Sequence, residues 1–178
     1  KTHILRISYF LLIKNNYEFK LRREVEDDFN WQQIIPYIVF TVEEHCFLYR
    51  YLENASERRL KNDYILGVGG HINPIDIKDN EDILEAGAQR EWNEEISYTG
   101  NLLEKKLVGI LNDDQRPVEA AHLGLIYHFR GDSHDISPKE NNVLQGELVH
   151  WGDLAGRLEG TEGWAPIVHR EYLLQYFN

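Results

Sequence analysis

The sequence predicts a mixed fold, α/β or α+β, on three observations. Strand-like segments fill the middle of the chain, a strongly helical stretch follows a glycine-rich loop, and a second helical pattern lies near residue 170.

The first element is a short strand. Lys1 to Lys14 starts basic and runs into Ile7-Ser8-Tyr9-Phe10-Leu11-Leu12-Ile13, which has the outline of a leader peptide. The apolar run is short for that role, no small-residue cleavage pattern follows, and its Tyr and β-branched residues favour a strand. Four further strands are expected at Tyr37 to Val42, Cys46 to Tyr51, Leu107 to Leu111 and Leu123 to Phe129, from their runs of β-branched and aromatic residues. Between the second and third of these, Gly67, Gly69, Gly70, Asn73 and Pro74 form a turn-rich loop, and a helical period follows from about Glu81 to Ile96. Asp132 to Gly146 is polar and reads as a surface connection or a flap. Pro166, as a first-turn proline, opens a helix carrying Ile167, Val168, Tyr172, Leu173 and Tyr176. Without repeats or a linker-like shift in composition, residues 1–178 are expected to be one domain, with 1–30 an N-terminal extension packing on it or pairing with it.

Composition narrows the function. A formal net charge of -11 opposes binding to a nucleic acid polymer, since no Lys/Arg cluster is large enough to offset it. A small anionic ligand screened by a cation is compatible with that charge. Cys46 is the single cysteine, so there is no disulfide framework and no cysteine-based zinc site, as expected of a cytoplasmic protein. No stretch approaches the roughly 18 to 20 apolar residues of a membrane span.

The chemistry concentrates on the first long helix. With residues 100° apart, Leu84, Gly87, Ala88, Glu94 and Glu95 all fall within about 60° of Glu91, while Glu85, Ala86, Gln89 and Asn93 gather on the other side. The three glutamates are therefore expected to continue the inward stripe. At about 5 Å and an effective dielectric near 20, each like-charge pair costs on the order of 3 kcal/mol, so positive charge must stand nearby. Arg90, four residues before Glu94, can pair with it but leaves two carboxylates uncompensated. A divalent cation balances the set, and hard carboxylate oxygens suit Mg²⁺ or Mn²⁺, whose remaining positions water and phosphate oxygens commonly fill. Gly69 and Gly70 allow the backbone a close approach to such a group.

Arg90-Glu91-Trp92-Asn93-Glu94-Glu95, preceded by Gly69-Gly70-His71, resembles the Nudix box: Gly, five residues, Glu, seven residues, Arg-Glu, an apolar residue, any residue, Glu-Glu, any residue, Gly, an apolar residue. Gly67-Val68-Gly69-Gly70-His71-Ile72-Asn73-Pro74, with Gln33-Ile34-Ile35-Pro36-Tyr37, Asn112-Asp113-Asp114 and His122-Leu123-Gly124, is more narrowly similar to a bacterial subgroup of Nudix phosphoesterases with a variant box. The front half departs from the pattern. Asp76 stands where Gly70 is followed at the box spacing by Glu, Asp82 stands eight residues before Arg90, and the loop carries six extra residues. Ser97 replaces the closing Gly, leaving Gly100 to end the helix.

The resemblance implies an α/β/α sandwich around a mixed sheet and hydrolysis of the diphosphate bond in a nucleoside-diphosphate-type or related small molecule, with a possible homodimer. It implies metal binding by Glu91, Glu94, Glu95 and the Gly70 carbonyl, with Arg90 orienting the glutamates. Glu94 or Glu95 is the expected general base, with Glu119, Glu140 and Glu147 as alternatives on distant loops. Arg58, Arg116 and His71 are the candidate substrate contacts, beside Arg22, Arg23, Arg59 and His122. Trp92 is expected at the cleft edge or in the core. Two other functions compete: a catalytically weak ligand-binding or regulatory module, suggested by the altered front half, and an allylic diphosphate isomerase, which requires a reactive thiol that only Cys46 can supply.

Overall fold

A computed structural model of the chain describes residues 3–5, 9–28, 30–52, 64–77 and 82–178. Among them, β1 (His3–Leu5), β2 (Gln33–Val42), β3 (His45–Tyr51), β6 (Leu102–Asn112), β7 (His122–Gly131) and β9 (Leu144–His150) form one sheet in the order β1-β6-β7-β2-β3-β9, with β4 (Gly67–Val68) against β2. A separate pair joins β5 (Ile96–Tyr98) to β8 (Ile136–Pro138). The Gln33 N–H donates to the Ala121 carbonyl where β2 and β7 begin, and Thr41 reaches His128 towards the end of both. Those two strands therefore run parallel, whereas β1–β6, β2–β3 and β3–β9 are antiparallel, so the sheet is mixed.

Local chemistry explains the central strands. The last seven residues of β2, Tyr37 among them, are all buried, the continuous pattern of a strand covered on both faces. β3 follows after only Glu43 and Glu44, with Val42 opposite His45. Glu43 takes φ 49, the positive φ that a two-residue hairpin turn demands.

Contacts divide the chain into two compact units, Lys1–Ile38 with Gly69–Trp92 and Lys106–Tyr127, and Val39–Val68 with Asn93–Lys105 and His128–Asn178. In the first, Ile38, Leu84, Ile110, Leu111, Leu125 and Ile126 are fully buried. In the second, the buried set includes Phe40, Phe47, Leu48, Leu66, Leu154 and Leu173.

Three expectations are corrected. The N-terminal strand is limited to His3–Leu5, and residues from Phe10 form a helix, α1 (Phe10–Asn15). Leu11, Leu12 and Lys14 are good helix formers, the Asn16 side chain donates to the Leu12 carbonyl, and Lys14 ties the helix to Asp82 at 2.5 Å. The short helix α2 (Arg22–Val25) follows. The segment 132–146 is more than a connection, because β8 pairs there with β5, Ile96 opposite Pro138. That pairing also ends the long helix α3 (Ile83–Glu95) at Glu95, so Gly100 has no part in its termination.

A short helix, α4 (Pro117–Ala120), links β6 to β7, and another, α5 (Leu154–Arg157), follows β9. The last expected helix is present in three pieces: α6 (Trp164–Val168), with Pro166 in its first turn, a π-helical turn His169–Leu173 and α7 (Leu174–Phe177). The π turn brings the Tyr172 hydroxyl within 2.7 Å of His128 Nδ1, while His128 Nε2 meets Thr41 Oγ1 at 2.7 Å.

Candidate active site

The first unit holds a clamp around Arg90. Pro74–Asp76 forms a single 3₁₀ turn whose Asp76 is 2% exposed, and its carboxylate accepts the Asn73 backbone N–H at 2.8 Å. The Arg90 Nε donates to Asp76 Oδ1 at 2.7 Å and Nη2 to Oδ2 at 3.1 Å, a two-point fork. Nη2 also donates to the His71 carbonyl at 2.8 Å, and Nη1 to Glu91 Oε1 at 2.9 Å. One guanidinium thus fastens the loop to the helix and fixes the rotamer of the buried Glu91.

The two acids of the altered loop have separate tasks. Asp76 is the partner of Arg90, whereas the Asp82 side chain accepts the Leu84 N–H at 2.9 Å and caps the N-terminus of α3. Residues 78–81, between them, lie outside the described part.

Glycines let the loop lie this close. A Cβ on Gly70 would stand 2.5 to 2.7 Å from the Glu91 carboxyl atoms, so the Gly70 backbone rests directly against that carboxylate. A Cβ on Gly69 would meet the Pro36 carbonyl oxygen at 1.6 Å, and one on Gly87 would meet Ile72 Cδ1 at 2.3 Å.

At the far end of α3, in the second unit, Glu95 is half-buried and Glu94 exposed. The three glutamates therefore do not continue the inward stripe equally, because the last turn of the helix gives way to a short strand and covers less of its circumference. Ala86 deviates the other way, buried on the side expected to face solvent. Burial holds the Glu95 carboxyl above its usual range, and the charges of Glu140 and Glu94 raise it further. The Lys139 N–H donates to the Glu95 carbonyl at 2.8 Å, and the Lys139 ammonium reaches the Asn93 carbonyl, so the segment carrying Glu140 is tied to the end of the helix.

Among the described residues, no three His, Cys, Asp or Glu side chains converge as a ready-made metal cage. The donor set still fits Mg²⁺ or Mn²⁺, which take hard oxygens and complete their shells with water and phosphate. The Gly70 backbone lies so close to the buried Glu91 carboxylate that no Cβ fits between them, which keeps side chains other than glycine's hydrogen out of the contact.

The remaining candidates are scattered. Arg116 forks onto Glu119, Nε to Oε2 at 2.9 Å, so this base candidate and this phosphate candidate pair with each other. Glu147 pairs with Arg157 at 3.3 Å, and Arg22 with Glu26 at 3.1 Å. The charge of Glu140, one of the three distant-loop acids, acts on Glu95. Arg58 and Arg59 lie outside the described residues. The His71 ring packs edge-on to His122 at 5.6 Å, and burial first, then Arg22 and His122, lower its pKa. Trp92 is core, at 4% exposure. Cys46 is fully buried and its thiol is pushed up to about 12, which leaves no reactive thiol for an isomerase.

No family model matches the chain. Protein YmaB of Bacillus subtilis is 34% identical over 147 residues, which cover 80% of this chain and 70% of that protein. The crystal structure of Tm1382, a protein assigned to the Nudix hydrolases, superposes with a TM-score of 0.80 at 27% identity over 99% of this chain and 89% of that one. The chain belongs to the Nudix superfamily. A Nudix-type hydrolase is thus the coarse function, and the central mixed sheet with its helices is the fold of that superfamily. The Nudix domain of Shewanella oneidensis NrtR, solved with ADP ribose, shares the fold with a TM-score of 0.54 at 13% identity, over 85% of this chain and 88% of that one. Among the described residues no helix is long and apolar enough to cross a membrane.

Proposed function

We propose that this Nudix chain hydrolyses the diphosphate bond of a nucleoside-diphosphate-type or related small molecule, with Mg²⁺ or Mn²⁺ held by Glu91, Glu94, Glu95 and the Gly70 carbonyl. The observation that carries the proposal is the Asp76–Arg90–Glu91 clamp under Gly70. It holds a buried carboxylate in one orientation against a glycine backbone, the placement a metal-binding carboxylate requires.

Each residue has a role under this reading. Arg90 orients Glu91 and neutralises part of its charge. Glu94 and Glu95 are the candidate bases for the attacking water, with Glu140 near enough to Glu95 to share that work. A bound divalent cation supplies charge neutralisation at the phosphate oxygens. Water adds to one phosphorus, the bridging P–O bond breaks, and two phosphate-bearing fragments leave. Arg58, His71 and Arg116 remain proposed substrate contacts, of which Arg116 must first exchange its Glu119 partner.

A second reading, a ligand-binding or regulatory Nudix module, draws on the exposed Glu94 and the unconverged carboxylates. Incubation with Mg²⁺ and a panel of nucleoside diphosphate sugars, dinucleoside polyphosphates, nucleoside triphosphates and ADP-ribose, beside Glu94→Gln, separates the two. Turnover lost in the variant is the expected result. Equal turnover by both proteins overturns the metal assignment, and tight binding without turnover on any compound establishes the module.

A further inference from the structure

Three histidines of the second unit stand side by side next to the β2–β3 turn. His45, the first residue of β3, is paired directly across from His150, the last residue of β9, and His134, just beyond the end of β7, packs its ring against His45 as well. The ring centres of His45 and His134 are 5.5 Å apart at 71°, and those of His45 and His150 are 5.7 Å apart at 82°. Each outer histidine also faces a carboxylate of the turn. His134 Nε2 lies 3.7 Å from Glu43 Oε2, and His150 Nε2 lies 3.8 Å from Glu44 Oε2, both longer than a hydrogen bond.

Two features separate this cluster from ordinary packing. The His45 Nδ1 is buried and has no hydrogen-bond partner among the described residues, a costly state for a polar atom. Glu43 holds φ 49, so a carboxylate stands at a turn position whose backbone favours asparagine or glycine. The spacing indicates what the groups can share. Two imidazoles on one tetrahedral ion, at Zn–N distances of about 2.0 to 2.1 Å, have ring centres about 5 Å apart, and a nitrogen and a carboxylate oxygen on that ion are about 3.3 Å apart. The His45–His134 and His134–Glu43 separations each exceed these values by only about half an ångström. Among the described residues no three such side chains yet meet at one point, but the His134 side chain is 51% exposed and that of Glu43 74%, so both can rotate inward without disturbing the core.

His150 has a different part. Its Nδ1 accepts the Gly152 backbone N–H at 3.1 Å, which puts the proton of the neutral ring on Nε2, the nitrogen that faces Glu44. Neither nitrogen then offers a lone pair, and the ring serves as a wall. We propose that His45, His134 and Glu43 bind a transition-metal ion of the Zn²⁺ type, with water completing its shell, and that the ion fastens the connection after β7 to the β2–β3 turn. Imidazole suits Zn²⁺, Ni²⁺ and Cu²⁺, whereas Mg²⁺ takes hard oxygens. The site uses none of the carboxylates assigned to hydrolysis and does not rest on that reading.

The test titrates Zn²⁺ into the ¹⁵N-labelled full chain at neutral pH in excess Mg²⁺ and follows the imidazole nitrogens by long-range ¹H–¹⁵N correlation, so that an ion held by carboxylates elsewhere is not counted. The expected result is that one ring nitrogen of His45 and one of His134 shift together and saturate at the same Zn²⁺ concentration, while His150 keeps its tautomer. His134→Asn, at an exposed position where folding is little affected, should weaken this binding at least about tenfold, as should Glu43→Gln, whereas His150→Asn should leave it nearly unchanged. Zn²⁺ should also raise the melting temperature of the wild type more than that of His134→Asn. Absence of shifts at His45 and His134, shifts confined to His71 and His122, separate saturation of His45 and His134, or an unchanged affinity in His134→Asn overturns the proposal.

Discussion

Replacing Asp76 by Asn keeps the shape of the side chain and removes its charge. The carboxylate accepts hydrogen bonds from Arg90 Nε, Arg90 Nη2 and the Asn73 backbone. An amide can present its single oxygen to Nη2 and Asn73 or to Nε, and in either orientation its NH₂ opposes a donor that it cannot accept. At least one charge-assisted bond is lost, worth about 1.5 to 3 kcal/mol, and the guanidinium keeps less countercharge in a site where Asp76 is 2% exposed. The expected destabilisation is about 3 kcal/mol, and Asp76→Ala should reach the 3 to 5 kcal/mol typical of a broken buried pair. Urea unfolding of the two variants, of Arg90→Lys and of Asp76→Asn/Arg90→Lys measures this, with a coupling above about 1 kcal/mol expected for the pair. If Asp76→Asn unfolds within about 0.5 kcal/mol of wild type, or the two substitutions simply add, Arg90 is not held as described.

Gly70→Ala should depress kcat well beyond its effect on stability, because the new Cβ falls 2.5 Å from a Glu91 carboxyl oxygen and must displace it; unchanged hydrolysis would remove Gly70 from the site. Cys46 should resist iodoacetamide at pH 8 in the folded protein and react fully in urea, since its thiol is pushed up to about 12; rapid native labelling contradicts its burial. Thr41→Val should cost about 1 to 3 kcal/mol by leaving His128 Nε2 without its partner in the core, checked by thermal melting. His169 gives a pH dependence. Burial lowers its pKa from 6.5, so between that value and the folded one the unfolded chain binds more protons, and stability present above 6.5 is lost as the pH falls. His169→Phe should therefore narrow the gap in melting temperature between pH 7 and pH 5, and an unaltered gap refutes the assignment.

The second and third glutamates illustrate what a periodic pattern can and cannot say. The 100° rule places Glu91, Glu94 and Glu95 on one side of the helix whatever surrounds it, and the structure keeps that geometry. Burial depends on what covers the side, and here it falls from Glu91 to Glu94 because the helix gives way to β5. In the same way, strand composition located β2, β3, β6 and β7, whereas β5 and β8 are three residues long and exist only because each finds the other. Residues 10–15 contain the β-formers Phe10 and Ile13, yet they are helical, and besides the local Asn16 cap the Lys14–Asp82 ion pair supplies a bond that local propensity does not contain.

By itself, the sequence determined the mixed class, the helix with its arginine and three carboxylates, and the requirement for glycine before it, because these rest on residue types and short spacings. Only the tertiary structure decided that Asp76 and not Asp82 is the partner of Arg90, that Arg116 is paired with Glu119, and that the charge of Glu140 reaches Glu95. The first joins a loop to a helix across a stretch of altered length and the last joins two segments far apart in the chain, while the Arg116–Glu119 pair, three residues apart, depends on the turn of α4. A hydrogen bond is set by distance in space, which the order of residues along a chain does not fix.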